Sequence, residues 1–313
     1  MDLEKIAKKI LRENMGLEEG ESVLVLTDTV QLRFGEALFA AAQELDCEPM
    51  LMVMKPRGKS GEEPPAVVAG AMAEADIILA FTYESLSHTR ARGNASKRGA
   101  RVASCSRMTE EIMLGGGMVA DYRKVYAEAE RLAESLQGSK QAAVRSKSGT
   151  DLTFDLRGRK WSMEAGICLR GGIINLPSGE VYIAPKSANG TLVIDTTMKP
   201  LGRLKSPITM KVKEGNVISF AGERSDELRR IIEESGENAR NIAELAIGMN
   251  PAITEFCGVT LQDEKVAGTL HVALGDSSTI GGDVEAEIHF DGIIADEPEL
   301  IVDGRRIELP SRE

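Results

Sequence analysis

Short apolar runs alternate with helical patterns throughout the first half of the chain. Runs of this kind, bounded by polar residues, are typical of buried strands. The predicted strands are residues 23–26, 49–54, 76–80 and 101–104. The predicted helices between them are residues 31–45, 65–75 and 87–98. Because single helices separate the strands, the pattern predicts a doubly wound parallel sheet in an α/β domain.

The pattern changes after a helix predicted over residues 121–136. Paired β-rich runs then flank short turns that contain glycine, which is typical of antiparallel hairpins. The paired runs are residues 142–146 with 151–156, 208–212 with 217–220, and 299–302 with 306–309. One helix, residues 226–234, interrupts them. We therefore expect an N-terminal α/β domain, residues 1–138, and a C-terminal α+β domain, residues 139–313, that is mainly antiparallel β.

The start of the chain has apolar residues at helical spacing, which predicts an amphipathic helix within residues 1–16. These apolar residues are Leu3, Ile6, Ala7, Ile10 and Leu11. A signal peptide would instead need a continuous apolar stretch and a small-residue cleavage site. No apolar run approaches the roughly 20 residues that cross a bilayer. The sequence therefore predicts a cytoplasmic protein without a membrane segment.

Composition and charge argue against several kinds of partner. The chain has 38 Lys and Arg residues against 49 Asp and Glu residues, a formal net charge of −11. Nucleic-acid binders normally present a basic surface, so we expect neither nucleic acid nor an anionic membrane as a partner. The cysteines form no C-x-x-C pair, which indicates reduced thiols rather than a zinc ribbon or a redox dithiol. They are Cys47, Cys105, Cys168 and Cys257.

The clearest candidate chemistry lies near the C-terminus, where apolar and polar residues alternate over residues 283–293. In a strand, this alternation places His289 and Asp291 on one face, roughly 7 Å apart along the backbone. One metal ion can bridge that gap. Glu285 and Glu287 share the face, although a solvated strand surface explains them equally well.

A second histidine precedes this segment. A strand over residues 268–275 carries His271, and Gly281-Gly282 allows a turn that brings it toward His289. Imidazole and carboxylate ligands together suit zinc, manganese, cobalt or iron. For each histidine taken alone, the alternative is a hydrogen-bonded structural role.

Two acidic residues stand in unusual surroundings. Glu244 is flanked by small and apolar residues, and an unpaired buried carboxylate costs several kcal/mol, so it needs a partner such as a metal ion. Glu180 follows the glycine-rich residues 171–179 and leads a predicted strand, a position from which loops deliver catalytic groups. A surface or strand-edge glutamate is the alternative for each.

Five motifs of the second half occur in the order found in a family of thermophilic metallo-aminopeptidases, the aminopeptidase T and aminopeptidase S family, which the chain resembles. The motifs are Asn175-Leu-Pro-Ser-Gly-Glu-Val-Tyr-Ile-Ala-Pro185, Ala243-Glu-Leu-Ala-Ile-Gly-Met-Asn-Pro251, Asp263-Glu-Lys265, Thr269-Leu-His-Val-Ala-Leu-Gly275 and Ile288-His-Phe-Asp291. The first half resembles the N-terminal domain of shorter members, particularly at Glu84-Ser-Leu-Ser-His-Thr89.

The resemblance implies a hydrolase that removes N-terminal residues from short peptides and assembles as a homodimer. The metal ligands that it implies are Glu180, Glu244, Glu264, His271, His289 and Asp291. Four carboxylates and two neutral imidazoles supply a charge of about −4, which two divalent ions, such as zinc, cobalt or manganese, would offset. Glu180 would act as a ligand or as the catalytic general base.

Two other functions remain open from the sequence. A related branch of the same fold resembles ring-opening dioxygenases of dihydroxypyridine, which use a single iron(II) ion. Its ligands would be His271, His289 and Asp291. A non-catalytic binding protein would instead hold an anion or small molecule at a helix N-terminus of the first half. The residues near that end are Ser87, Thr89, Arg90 and Arg92.

Overall fold

A computed structural model gives the structure of residues 2–312, which divide into two compact units. The first unit comprises Met1–Tyr126 and Glu164–Ser178, and the second comprises Ala127–Met163 and Gly179–Glu313. The predicted fold class is confirmed, since a parallel sheet with helices belongs to the first unit and antiparallel sheets belong to the second. The boundary after residue 138 stays a prediction.

The elements are numbered in chain order. The helices are α1 (Leu3–Lys9), α2 (Leu32–Gln43), α3 (Ala66–Glu74), α4 (Arg90–Lys97), α5 (Glu110–Leu114), α6 (Tyr122–Leu136), α7 (Ser225–Glu234) and α8 (Thr260–Asp263). The strands are β1 (Ser22–Asp28), β2 (Glu48–Met54), β3 (Ile77–Phe81), β4 (Arg101–Ser104), β5 (Gln141–Arg145), β6 (Asp151–Asp155), β7 (Ser162–Glu164), β8 (Gly172–Asn175), β9 (Glu180–Ile183), β10 (Ser187–Ile194), β11 (Thr197–Met198), β12 (Gly202–Arg203), β13 (Ile208–Lys213), β14 (Asn216–Gly222), β15 (Ile242–Gly248), β16 (Leu270–Gly275), β17 (His289–Ile294), β18 (Glu299–Val302) and β19 (Arg305–Ile307).

The first unit is built on a five-stranded sheet in the order β2-β1-β3-β4-β8. Its described strand pairs are parallel, as predicted. Helix α4 begins at Arg90 rather than at residue 87, because the Thr89 side chain caps it by accepting a hydrogen bond from the Arg92 N–H. Strand β8 was not predicted. It pairs with β4, although strands β5, β6 and β7 lie between the two in the sequence.

The N-terminal amphipathic helix is confirmed as α1, which continues into a π-helical turn over Ile10–Asn14. Asp2 caps it by accepting a hydrogen bond from the Lys5 N–H, and Ile6 and Leu11 are fully buried. Among residues 2–312, no helix combines the length and the apolar character needed to cross a membrane.

The second unit contains two seven-stranded sheets. One has the order β14-β13-β10-β6-β5-β18-β19, and it includes the three predicted hairpins, β5 with β6, β13 with β14, and β18 with β19. The other, which we call the site sheet, has the order β12-β11-β17-β16-β15-β9-β7. Strand β15 is buried along its whole length, and so is β16.

The strand predicted over residues 283–293 is wrong in its first half, because β17 begins only at His289. Side chains just after β16 bind the backbone that precedes β17. The Ser277 Oγ accepts from the Val284 N–H at 3.2 Å, and the Asp276 carboxylate accepts from the Ala286 N–H at 3.3 Å. Because these N–H groups already donate to side chains, they do not form the hydrogen bonds of a β-sheet. Glu285 and Glu287 are exposed, as the solvated alternative requires.

Candidate metal centre

Two adjacent strands of the site sheet, β16 and β17, bring both C-terminal histidines to one face. In their antiparallel register, Asp291 lies opposite Ala273 and His289 lies opposite Gly275. Opposite residues share a face, and so do residues two positions apart along a strand. His271, two residues before Ala273, therefore lies on the same face as His289 and Asp291.

The next two strands add two acids to this face. Glu244 on β15 lies opposite Ala273 on β16, and Glu180 on β9 lies opposite Gly248 on β15. Positions 244 and 248 share a face because they are an even number of residues apart. The register alone therefore gathers acids from two strands with the histidines of two others.

Small residues occupy the positions between these polar side chains. The residues that face them across the strands are Ala246, Gly248, Ala273 and Gly275. A Cβ added at Gly248 would lie 2.1 Å from the Val266 carbonyl oxygen, and one at Gly275 would lie 2.1 Å from that of Ile288. Glycine is therefore required at both positions, and the alanines leave space above the sheet.

The polar side chains form two overlapping groups that share Glu244. One group is Glu180, Glu244 and His271, and the other is Glu244, His289 and Asp291; within each, the ligand atoms lie within 4.8 Å of one another. His289 Nε2 is 3.0 Å from a Glu244 oxygen and 3.2 Å from an Asp291 oxygen. Two ligand atoms that each lie about 2.1 Å from one ion are separated by about 3.0–3.4 Å. The spacing therefore fits a divalent metal ion.

The orientation of the His289 ring also fits a metal ligand. Its Nδ1 lies 2.7 Å from the Asp276 carbonyl oxygen, to which it donates when the proton is on Nδ1. That hydrogen bond leaves Nε2 of the neutral ring facing Glu244 and Asp291, which is how backbone carbonyls orient ligating histidines. The Nε2 atom of His271 lies 3.2 Å from a Glu180 oxygen, while its buried Nδ1 has no hydrogen-bond partner among the described residues.

The charges of the cluster favour bound cations. Burial lowers the pKa of His271, but the adjacent carboxylates of Glu180 and Glu244 outweigh it and raise the pKa to about 10. Burial likewise opposes a rise in the pKa of His289, yet Asp291 and Glu244 hold that pKa well above its ordinary value. Burial raises the pKa of Glu244, but both imidazoles lower it to about 2. Without a metal, the imidazoles therefore hold protons. A metal ion bound to their ring nitrogens would replace these protons.

Glu264 lies beside the cluster and belongs to neither group. It is the C-cap residue that follows α8, is buried, and has an oxygen 2.8 Å from the Lys265 ammonium. Burial raises the pKa of Glu264 to about 8, although Lys265 opposes the rise. Its role as a metal ligand stays a prediction.

Lys265 itself was missed by the sequence analysis, although the motif Asp263-Glu-Lys265 contains it. Its side chain is only 2% exposed, and its Nζ lies 2.5 Å from a Glu180 oxygen as well as 2.8 Å from Glu264. A lysine is normally interpreted as a surface residue because it is almost never fully buried unless paired. The available signal was its position in that motif, directly after Glu264.

The helix N-termini of the first unit do not favour the anion-binding alternative. The Glu63 carboxylate accepts hydrogen bonds from the Arg90 and Ala91 N–H groups at the start of α4, at 2.6 and 3.2 Å. The Asp28 carboxylate accepts from the Gln31 N–H, just before α2, at 3.0 Å. The chain's own carboxylates therefore already occupy the positions that an anion would take.

Solved structures with a similar fold include two that span nearly the whole chain. One is a 2,5-dihydroxypyridine dioxygenase from Pseudomonas putida KT2440, with a TM-score of 0.83 and 20% sequence identity, covering 99% of this chain and 96% of that chain. The other is wild-type AmpT from Thermus thermophilus, with a TM-score of 0.74 and 19% identity, covering 97% of this chain and 96% of that chain. At these identities the similarity establishes a shared fold.

Sequence comparison is more specific. A search of curated proteins found no significant match. The profile of the thermophilic metalloprotease (M29) family, however, matches residues 102–288, which is more than half of the 313 residues. This match includes three of the residues in the two groups, Glu180, Glu244 and His271, and also Glu264 beside them. The chain belongs to the thermophilic metalloprotease (M29) family.

Proposed function

We propose that the protein is a metal-dependent aminopeptidase that removes N-terminal residues from short peptides. The observation that carries the proposal is the pair of overlapping carboxylate and imidazole groups, buried on one face of the site sheet, in a member of a metalloprotease family. The residues that would hold the metal are Glu180, Glu244, His271, His289 and Asp291, with Glu264 beside them.

A divalent ion bound there would lower the pKa of a water molecule and polarise the scissile carbonyl. The chain's own groups supply the remaining functions. Glu180 has one oxygen held by Lys265, so the other, 3.2 Å from His271 Nε2, is the atom that would accept a proton from water. The carbonyl of Asp276 keeps the His289 ring in place.

The charge of the site supports action at the N-terminus of a peptide. Glu244 and Asp291 are buried carboxylates whose pKa values lie below the ordinary range because burial, which raises them, is outweighed by the histidines. A cluster of ionised acids attracts a cation, and the free α-ammonium group is the cation that distinguishes a peptide's end from its interior. We therefore expect free N-termini to be required.

The test is hydrolysis of a matched pair of peptides by the metal-loaded protein. Metal-free protein is loaded in turn with Zn²⁺, Co²⁺ and Mn²⁺, and release of leucine is measured from Leu-Gly-Gly and from its N-acetylated form. We expect release from the free peptide alone and its loss with a chelator. If the iron(II)-loaded protein instead consumes O₂ with a dihydroxylated pyridine and no peptide is cleaved, the dioxygenase is the correct function.

Substitution of a predicted ligand gives a second test. In His289→Ala, we expect metal affinity to fall by more than about 100-fold and peptide hydrolysis to fall with it, because the ring nitrogen that faces Glu244 and Asp291 is lost. The matched control is His88→Ala, which removes a histidine of the first unit. Unchanged metal content in His289→Ala, measured by elemental analysis, would contradict the site.

The proposal also includes zinc as the natural ion, a cytoplasmic location and a homodimer. Imidazole and carboxylate ligands suit zinc, although cobalt and manganese accept them too. Elemental analysis of protein purified without chelator would identify the ion, and light scattering would measure the mass against the 33.8 kDa of one chain.

A further inference from the structure

We propose that each chain binds one divalent ion tightly, and that the buried ammonium group of Lys265 takes the place of a second ion. The inference rests on the proposed metal-dependent function and replaces the expectation of two ions with a single ion and an internal cation. It concerns the side of the cluster formed by Glu180 and Glu264.

The contacts of Lys265 are those of a cation in a carboxylate site. Its Nζ lies 2.5 Å from Oε1 of Glu180 and 2.8 Å from Oε1 of Glu264, so it bridges two acids that would otherwise face each other. Its side chain is 2% exposed, and those of the two glutamates are 9% and 10% exposed. A charge taken out of water at this depth must be paired, and here each acid pairs with the same ammonium.

The backbone around Lys265 holds the ammonium in this position. The Lys265 carbonyl accepts a hydrogen bond from the Asn250 N–H at 2.8 Å, and its own N–H donates to the Gln262 carbonyl at 3.0 Å. Just before it, the fully buried Asp263 accepts from the Thr197 hydroxyl at 2.6 Å and from the Gly258 N–H at 2.8 Å. Withdrawing the ammonium would therefore require local rearrangement of the backbone.

The remaining donors suffice for one ion. His289 Nε2 lies 3.0 Å from Glu244 and 3.2 Å from Asp291, and His271 Nε2 lies 3.7 Å from the other oxygen of Glu244. The ligand atoms of His289, Glu244 and Asp291 lie within 4.8 Å of one another, which makes a three-ligand set of the kind that one zinc, cobalt or manganese ion accepts together with a water molecule. Glu180 keeps a single oxygen, Oε2, on this side.

A second ion on the other side would meet electrostatic repulsion. With all four carboxylates ionised the cluster carries −4, and the ammonium reduces this to −3 before any metal enters. An ion placed between Glu180 and Glu264 would also lie against a like charge in a buried environment, where repulsion is weakly screened. Lys265 thus occupies the position between Glu180 and Glu264 and reduces the negative charge that would attract a second dication.

The direct test counts ions. Metal-free wild-type protein is titrated with Mn²⁺ alone by isothermal titration calorimetry, and electron paramagnetic resonance detects magnetic coupling between paired ions. We expect one tight ion per chain and no coupled spectrum. In Lys265→Met, which keeps the length of the side chain and removes its charge, we expect a second ion and a coupled spectrum. Two tight ions in the wild type, or one ion in folded Lys265→Met, would overturn the proposal.

Two further variants serve as controls. Lys265→Arg retains the positive charge and should bind one ion. The double variant Glu264→Gln with Lys265→Met removes a carboxylate together with the ammonium and should also bind one ion, so a second ion there would count against the proposal. Circular dichroism establishes that each variant is folded. Should Lys265→Met fail to fold, the wild-type count and the double variant decide the question.

The outcome is separable from that of the proposed function. Wild-type protein that binds one ion but cleaves no peptide would contradict the aminopeptidase and leave the role of Lys265 intact. Protein that cleaves peptides with two tight ions would do the reverse. Wild-type protein that binds none of Mn²⁺, Co²⁺ and Zn²⁺ would overturn both proposals.

Discussion

At the scale of single residues, the centre depends on small side chains as much as on its acids and imidazoles. Ala273 is fully buried and lies opposite both Glu244 and Asp291, on the strands at either side. Its side chain is a single methyl group between the two strands that carry these carboxylates. Ala246 has the corresponding position opposite His271.

Enlarging Ala273 should therefore disrupt metal binding more than it disrupts the fold. For Ala273→Val we expect Mn²⁺ affinity to fall at least about tenfold, with a loss of about 1–3 kcal/mol in the free energy of unfolding from overpacking. Val272→Ile is the matched control, since it adds bulk to the opposite face of the same strand. It should lose stability and keep its metal affinity, both measured by calorimetry and urea unfolding. Equal affinities in the two variants would refute this role of Ala273.

Much of the site could be predicted from residues whose type conflicts with their surroundings. His289 and Asp291 were found because alternation places them on one side, and Glu244 because an acid among apolar residues needs a partner. Lys265 was not found, because a lysine beside acidic residues looks like an ordinary surface ion pair. Its burial depends on contacts between residues far apart in sequence, since its ammonium group meets Glu180 on β9.

At the scale of elements, the end of β16 determines where His289 lies. Gly275 has φ of +106° and faces the Ile288 carbonyl oxygen, so the chain can pass close to itself just before β17. The alternation of apolar and polar residues predicted a longer β17. It could not reveal that the side chains of Asp276 and Ser277 bind the backbone of residues 284–286. Hairpins with short glycine turns were predicted well, since their geometry is local.

Gly275→Ala should lower both stability and metal affinity. The new Cβ would lie 2.1 Å from the Ile288 carbonyl oxygen in a left-handed backbone, which we expect to cost more than about 1–3 kcal/mol and to displace His289. Gly304→Ala is the control, because Gly304 has φ of +81° but open space around its Cβ position. It should show the backbone strain alone, with unchanged affinity for Mn²⁺. Similar losses in both variants would show that the close approach is unimportant.

The carboxylate at the start of α4 should make stability depend on pH. Burial raises the pKa of Glu63, but hydrogen bonds from the Arg90 and Ala91 N–H groups outweigh it and place the pKa below 4.5. A lowered folded pKa adds stability above the unfolded value, and this is lost as pH falls through the folded value.

Glu63→Gln should therefore be less stable than the wild type at pH 7, by under about 1 kcal/mol because the side chain is partly exposed. The difference should shrink below about pH 4.5, as the wild-type carboxylate is protonated. Urea unfolding across this range measures it. Glu19→Gln, at an exposed position, is the control and should show no such trend; a constant difference for Glu63→Gln would contradict the assignment.

At the scale of the whole molecule, a metal ion bound at the predicted site would connect strands that are distant in sequence. Its predicted ligands come from β9, β15, β16 and β17, so the native second unit presents the site and an unfolded chain does not. A ligand that binds only the folded state stabilises it by about 2.7 kcal/mol at 100 times its dissociation constant.

Chelation should consequently lower the melting temperature of the wild type. A loss of about 2.7 kcal/mol corresponds to a shift on the order of 5–10 °C for a unit of this size. Differential scanning calorimetry with and without excess Mn²⁺ measures it. His289→Ala should melt at one temperature in both conditions. A wild-type melting temperature that does not change on addition of Mn²⁺ would exclude tight binding to the native state.

Strand β8 has a consequence for how the protein is made on the ribosome. The parallel sheet of the first unit is completed only when residues 172–175 pair with β4, after β5, β6 and β7 have been synthesised. Translation needs on the order of several seconds to cover that stretch. During this interval the outer edge of β4 is open and resembles the unpaired edges through which nascent chains associate. Newly made chains should therefore be most vulnerable to aggregation while they wait for this late strand.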